Sequence, residues 1–247
     1  MCYSFEHSLV AFLSVTICGS IALALPTRGG NPSWALHQPI LGSLMLCYGL
    51  MQVSEMLIWR GIDTDTPALN RAGTAVGKYT LCAHNVALGI GVLIAYWSKS
   101  DSELPFGKRY MIWAPLVAGI LFYAGVMVNY ALVPDESDTT PACDYDKNKK
   151  DNNCTKNSAR LQWPFPHTYY GVSYAISLLI LMTYVRPLWP NGALVAFFYT
   201  FSFIVTFVLG KTQVQGSYWC WAAAAFAPLL LAGNTYLGHR AMPNFIS

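Results

Sequence analysis

A carboxamide and a carboxylate three residues apart, Gln52 and Glu55, lie inside the apolar run 38–59, QPILGSLMLCYGLMQVSEMLIW. A bilayer crossing takes about 20 residues, so the run is long enough to span. The spacing puts both polar side chains on one face of a helix, and Tyr48, four residues before Gln52, extends that face. A charge at such depth is costly unless it meets a partner, water or a ligand. Glu55 therefore marks a candidate functional site by default.

A second run, 74–97, supplies the complement. Lys78, Cys82, Asn85 and Gly89 recur at helical spacing, and His84 points about a third of a turn away from them. Read as the helix antiparallel to 38–59, it should bring Lys78 near the level of Glu55. A Glu55–Lys78 ion pair would remove much of the cost of burying either charge. Such a pair either fixes the packing of two helices or belongs to a working site, and breaking it on one side should destabilise far more than replacing both partners. His84 has two readings as well: a hydrogen-bonded packing residue, or the titratable element of a wet cavity.

Further hydroxyls and amides fall at similar depth in other apolar runs: Asn129, then Tyr169, Tyr170, Ser173 and Ser177, then Ser202 and Thr206. Taken singly, Ser and Thr bond to their own helix backbone and let membrane helices approach. Taken together, they suggest a polar cavity that opens outward above an apolar inner half.

The elements that must position these residues are set by composition. Hydrophobic residues make up 54% of the 247 and charged residues 11%, less than half the charged share of about 25% usual in soluble domains. The net charge of +3, with Lys and Arg scattered along the chain, gives no nucleic-acid footprint. Gly-rich phosphate loops, paired CxxC, HExxH and GxSxG are all absent from the sequence. Apolar runs recur at about 8–25, 38–59, 74–97, 110–133, 168–188, 191–210 and 217–237, separated by turn and charge signals. They predict an all-α, seven-helix polytopic membrane bundle, one transmembrane domain over 1–247. Trp34, Trp59, Trp97, Trp163, Trp189 and Trp219 fall near the proposed ends, as an interfacial aromatic belt requires. Pro115 and Pro228 are candidate kinks in the fourth and seventh helices.

Residues 134–167 form the one long polar segment. Cys143 and Cys154 suggest a disulfide-closed loop, and Asn153-Cys154-Thr155 is an N-glycosylation sequon. Both features belong to the extracellular or lumenal side. That choice puts the N-terminus outside and the C-terminus in the cytoplasm. The inner connections and tail then carry Arg28, Lys99, Lys108, Arg109, Arg186 and Arg240, against Arg60, Arg71 and Lys211 outside, the direction the positive-inside rule asks for. The first run is read as a retained helix, despite Ala22-Leu23-Ala24 resembling a cleavage site, because the preceding residues carry no Lys or Arg. Cys2 and Cys220 share the outer side and form a candidate second disulfide. Cys18, Cys47 and Cys82 read as buried thiols, and no compact His/Cys spacing predicts a metal site.

The opening MCYS, the segment QVSEMLIW and the segment GSYWCW together resemble a family of multi-pass membrane proteins that begin Met-Cys-Trp-Ser, found in bacteria, microbial eukaryotes and large DNA viruses. The chain departs from that pattern with Tyr3 in place of Trp. It also reads LCAHNVALG where the family has His followed by Gln-Pro, so that only His84 carries over. The resemblance implies a seven-helix fold and brings no established activity.

The expected function is transport or channel activity for a small solute or ion, with Tyr48, Gln52, Glu55, Lys78, His84 and Asn85 along the path. The alternative is a seven-helix receptor or sensor that takes its ligand from the outer side. An intramembrane metalloenzyme would need more converging His and acidic residues than one embedded His and one embedded carboxylate. No cofactor is expected. Retinal needs an embedded lysine in the last helix, which has none. The expected location is a cell-surface or secretory-pathway membrane (host or virion membrane if viral), with the lipid bilayer as the main partner.

Overall fold

In the computed structural model, the chain forms α1 (Phe5–Ala24), α2 (His37–Asp63), α3 (Pro67–Tyr96), α4 (Ala114–Leu132), a ribbon of β1 (Thr140–Cys143) and β2 (Ala159–Gln162), and α5 (Thr168–Tyr184). Three 3-10 turns, Asp101–Glu103, Pro105–Gly107 and Arg109–Trp113, join α3 to α4. The structure describes residues 4–24, 37–97, 99, 101–132, 140–143, 159–162, 168–184, 227–229 and 231–232. The expected sixth helix, 191–210, lies outside them. Of the expected seventh, only the helical residues 227–229 and 231–232 are described.

Among the described residues, four helices are long and apolar enough to cross a membrane: Phe5–Ala24, Gln38–Asp63, Pro67–Tyr96 and Arg109–Ala131. Their outer faces are apolar too. Val10, Ile17, Leu50, Val117, Leu121 and Val128 each leave more than half of their surface exposed, a pattern that suits lipid and not water. The chain is a membrane-embedded protein.

Several boundaries move from those read in the sequence. RGIDTDTP is not a wide break: α2 runs on to Asp63 and α3 begins at Pro67, with only residues 64–66 between them. Pro67 occupies the first helical position, where its missing N–H costs nothing. The turn closes through the Thr66 N–H, which donates to the Gly61 carbonyl at 2.8 Å, and Asp65 takes the left-handed conformation at φ 51°. Pro115 does not kink a helix. It sits in the first turn of α4, just after the 3-10 segment, where proline is tolerated. The segment expected as a loop contains the antiparallel ribbon, with Thr140 opposite Gln162 and Cys143 opposite Ala159. Trp59 is not an interfacial anchor, because it packs inside the bundle. Trp97 and Trp113 are exposed and stack edge-to-face at 6.0 Å.

Lipid offers no hydrophobic drive for one helix to leave it for another, so close backbone approach carries much of the packing. Glycine supplies that approach at three helix pairs. Gly19 and Gly42 bring α1 onto α2. Gly73 abuts Ser54 and Ile58, and Gly91 abuts Ile40, across α2 and α3. Gly89 abuts Pro115 and Leu116, and Gly119 abuts Asn85, across α3 and α4. The bundle has two ends: a hairpin end, with the 64–66 turn and the ribbon, and a collar end, with the 3-10 turns. The collar end is tied by hydrogen bonds from tyrosine and arginine to backbone. The Tyr96 hydroxyl donates to the Tyr184 carbonyl at 2.6 Å, the Tyr184 hydroxyl to the Met111 carbonyl at 2.7 Å, and Arg109 to the carbonyls of Trp97 and Lys99. Residues from the expected seventh helix join the packing, since Ala227 is buried in a cluster with Ala11, Val15, Cys18 and Met45.

Candidate functional site

The polar face of α2 turns inward. Gln52 and Glu55 are both 0% exposed, and Tyr48 on the same face is buried. The flanking residues of that face, Met51 and Trp59, belong to an apolar cluster with Leu81 and Cys82 of α3 and Val126 and Tyr130 of α4. A carboxylate thus sits where three helices meet, closed off from the surroundings.

One turn nearer the collar end, a second polar group is joined by hydrogen bonds and ring contacts. The Tyr48 and Tyr174 hydroxyls lie 2.9 Å apart. The His84 ring meets the Tyr48 ring edge-on at 4.6 Å and faces Tyr174 at 6.0 Å. The next residue, Asn85, donates from Nδ2 to Ser173 Oγ at 3.2 Å and accepts at Oδ1 from Ser177 Oγ at 2.7 Å. His84 is 0% exposed and Asn85 1%. Side chains from α2, α3 and α5 thereby converge on Tyr48 and His84, and the amide of Asn85 is bonded at both of its polar atoms. Burial of this kind makes each bond matter, because an amide stripped of its partners in an apolar core pays its full desolvation cost.

Lys78 lies on α3 beside Tyr130 of α4. The contacts of Gly61 with Asn70, Gly73 with Ser54 and Ile58, and Gly91 with Ile40 fix the register of the α2–α3 pair. In that register Thr74 stands opposite Glu55, whereas Lys78 stands opposite Met51 and Gln52, about one turn deeper. The α2 side of α3 is marked by Gly73, His84 and Gly91, and five residues from Gly73 to Lys78 are about 140° of helix rotation. On the face Lys78–Cys82–Asn85–Gly89, Lys78 Nζ stands over the Tyr130 ring of α4, 5.7 Å from its centre, Gly89 meets the α4 backbone, and Asn85 reaches Ser173 and Ser177 of α5. The Cys82 thiol bonds back to the Lys78 carbonyl at 3.2 Å, which keeps it on that side.

The six residues read from the sequence fall into two neighbouring groups. Tyr48, His84 and Asn85 are gathered with α5. Gln52 and Glu55 lie enclosed toward the hairpin end, with Lys78 at the α3–α4 seam beside them. Tyr174 and Tyr130 were missed. Tyr174 had a legible signal, since it adjoins Ser173 within the hydroxyl-rich start of the fifth run, whereas nothing in the sequence marked Tyr130 as the ring under Lys78. Asn153, Cys154, Cys2 and Cys220 lie outside the described residues, as does the side chain of Cys143. Cys18, Cys47 and Cys82 are buried free thiols. Among the described residues no three His, Cys, Asp or Glu side chains converge as a metal site would need.

An outward-opening cavity would leave its lining accessible. Gln52, Glu55, His84 and Asn85 are all enclosed, with at most 1% of their surface exposed. Toward the collar end the interior turns apolar, with Ile40, Leu88, Val92, Ala95, Leu104 and Ile112 in one cluster. The chain matches no family model, no curated protein and no solved structure, so its likeness to the Met-Cys-Trp-Ser family rests on the short motifs alone.

Proposed function

We propose that this chain is a seven-helix membrane protein, N-terminus outside and C-terminus cytoplasmic, that moves a small solute or ion through a site built on Tyr48, Gln52, Glu55, Lys78, His84 and Asn85. The observation that carries the reading is the enclosure of an acid, an imidazole and two carboxamides at the centre of lipid-facing helices. Evolutionarily idle charges are rare in such places, because each raises the cost of insertion. Lys78 Nζ stands over Tyr130, a member of the apolar cluster whose α2 residues Met51, Ile58 and Trp59 flank Glu55 in the chain. Their Cα–Cβ bonds also tilt toward one another's level, since helix side chains lean to the N-terminus and these two helices run antiparallel. The proposed ion pair spans that junction.

The test is flux. The purified protein in liposomes, under proton or alkali-cation gradients read by an entrapped indicator, is expected to conduct, and Glu55→Gln to lower the rate at least tenfold. Equal rates for the two proteins would remove Glu55 from the path. The occlusion of the site also supports a second reading, a receptor that closes over its ligand. Thermal stabilisation by a ligand without flux under any gradient would select it.

We further propose the Cys143–Cys154 disulfide and a glycan on Asn153, with segment 134–167 on the outer side. β1 ends at Cys143 opposite Ala159, so the ribbon draws together the ends of the connection that carries Cys154 and Asn153. For protein made in a eukaryotic host, enzymatic removal of N-glycans is expected to increase gel mobility, and Asn153→Gln to abolish the shift. No shift in the wild-type protein would withdraw both the glycan and this support for the topology.

A further inference from the structure

The polar residues of α2 lie close to the hairpin end, and one side chain from outside the helices is packed into their surroundings. Leu161, in the middle of β2, is 0% exposed and belongs to the cluster of Met51, Ile58, Trp59, Leu81, Cys82, Val126 and Tyr130, with Phe5 of α1 packed against its edge. The α2 members of that cluster bracket Gln52 and Glu55 in the chain. Strand pairing holds Leu161 opposite Pro141, in a ribbon of two four-residue strands. An isolated two-stranded ribbon this short has little stability of its own in water. Its position therefore depends on what Leu161 buries.

We propose that the β1–β2 ribbon is the gate over the Gln52–Glu55 site and that Leu161 is its latch. This rests on the reading of that site as a solute path and adds how the path is closed from the hairpin end. With the latch seated, apolar side chains from α1, α2, α3, α4 and β2 seal the acid from that side. With it withdrawn, the one described segment of the cluster outside the helices leaves, and the gap opens onto the face of α2 that carries Glu55. The paired strands can move as one unit, because their hydrogen bonds are to each other.

Cys82 reports this directly. It is a native thiol, fully buried and in the same cluster as Leu161, whereas Cys47, buried with its thiol against the Thr80 carbonyl at 3.7 Å, and Cys18 lie outside that cluster. Full-length protein in nanodiscs is treated with a charged, membrane-impermeant methanethiosulfonate, and modification of each cysteine is followed by peptide mass spectrometry. Leu161→Ala is expected to raise the rate at Cys82 at least tenfold while Cys47 and Cys18 keep their wild-type rates, and Leu161→Met to restore slow labelling. An unchanged Cys82 rate in a Leu161→Ala protein that still unfolds cooperatively would overturn the gate. So would a parallel rise at all three thiols, which would mean general loosening. The assay needs no flux, so a chain that never conducts but opens at Cys82 keeps the gate and loses the transport reading.

Discussion

Lys78→Met is expected to destabilise the protein more than Glu55→Gln does, and the two together are expected to cost less than Lys78→Met alone. The asymmetry follows from burial. Glu55 has no exposed surface, while Lys78 is half-buried near the hairpin end. Removing the lysine strands a carboxylate in a low-dielectric core, a loss of about 3–5 kcal/mol for a broken buried pair. Removing the acid leaves an ammonium on a four-carbon stem that can lean out toward the headgroups, and its Tyr130 contact survives, so the cost should be closer to 1–2 kcal/mol, roughly what a desolvated cation over a ring offsets. Replacing both leaves an amide and a thioether where the ions were, and exchanging a buried pair for neutral groups is often close to neutral. Denaturant unfolding of the four proteins in bicelles measures the cycle. Additive single-variant losses, or a harmless Lys78→Met, would show that Glu55 is satisfied by other groups and that no pair joins α3 to α2.

The helical face Tyr48–Gln52–Glu55 was legible because three polar residues in an apolar run share one angle on their own helix, and the structure buries all three. Which neighbour stands at that angle was not legible. Lys78 was expected near the level of Glu55 by counting depth from the ends of apolar runs, and that count could not see that α3 starts at Pro67 and carries Asn70 and Arg71 in its first turns. The same count cannot show that Lys78 stands over Tyr130 of α4 while Asn85 bonds to α5, because rotation about a helix axis is set by the partner and not by the run itself. The serines of the fifth run were visible as a polar group, yet their hold on Asn85 spans 88 and 92 positions of sequence.

The ribbon is a sharper case. TPAC and ARLQ contain a proline, two alanines and little alternation, so local propensity argues against strands. They pair because they flank a connection long enough to return and because Leu161 finds an apolar seat among four helices. Strand and seat are both long-range facts. By contrast, the glycines of α3 and α4 were present in the sequence but had only a general meaning, that helices approach closely. Their pairing with particular backbone segments gives each one a separate energetic weight.

Two glycines on α4, six residues apart, are expected to respond to alanine with opposite signs. A methyl group on Gly119 would overlap the Asn85 carbonyl oxygen, with the Asn85 carbonyl carbon at 2.8 Å and Val86 Cα at 3.1 Å. These are backbone atoms in mid-helix and cannot rotate aside, so α4 must retreat from α3 along the whole seam. Overpacking of this kind costs about 1–3 kcal/mol, and the retreat also disturbs Asn85, whose amide is bonded to Ser173 and Ser177 on α5. The total for Gly119→Ala should reach about 3–4 kcal/mol, above the range of about 0.5–3 kcal/mol of most single substitutions. At Gly125 nothing lies within 4 Å of the added carbon, and the position is exposed. Gly125→Ala therefore gains the helix preference of alanine, about 0.5–1 kcal/mol, with no clash against it. Thermal and denaturant unfolding of the two variants in the same detergent reads both signs at once. Loss of stability at both positions would mean that α4 presents its Gly125 face to another helix, and tolerance at Gly119 would mean that α3 and α4 do not meet there.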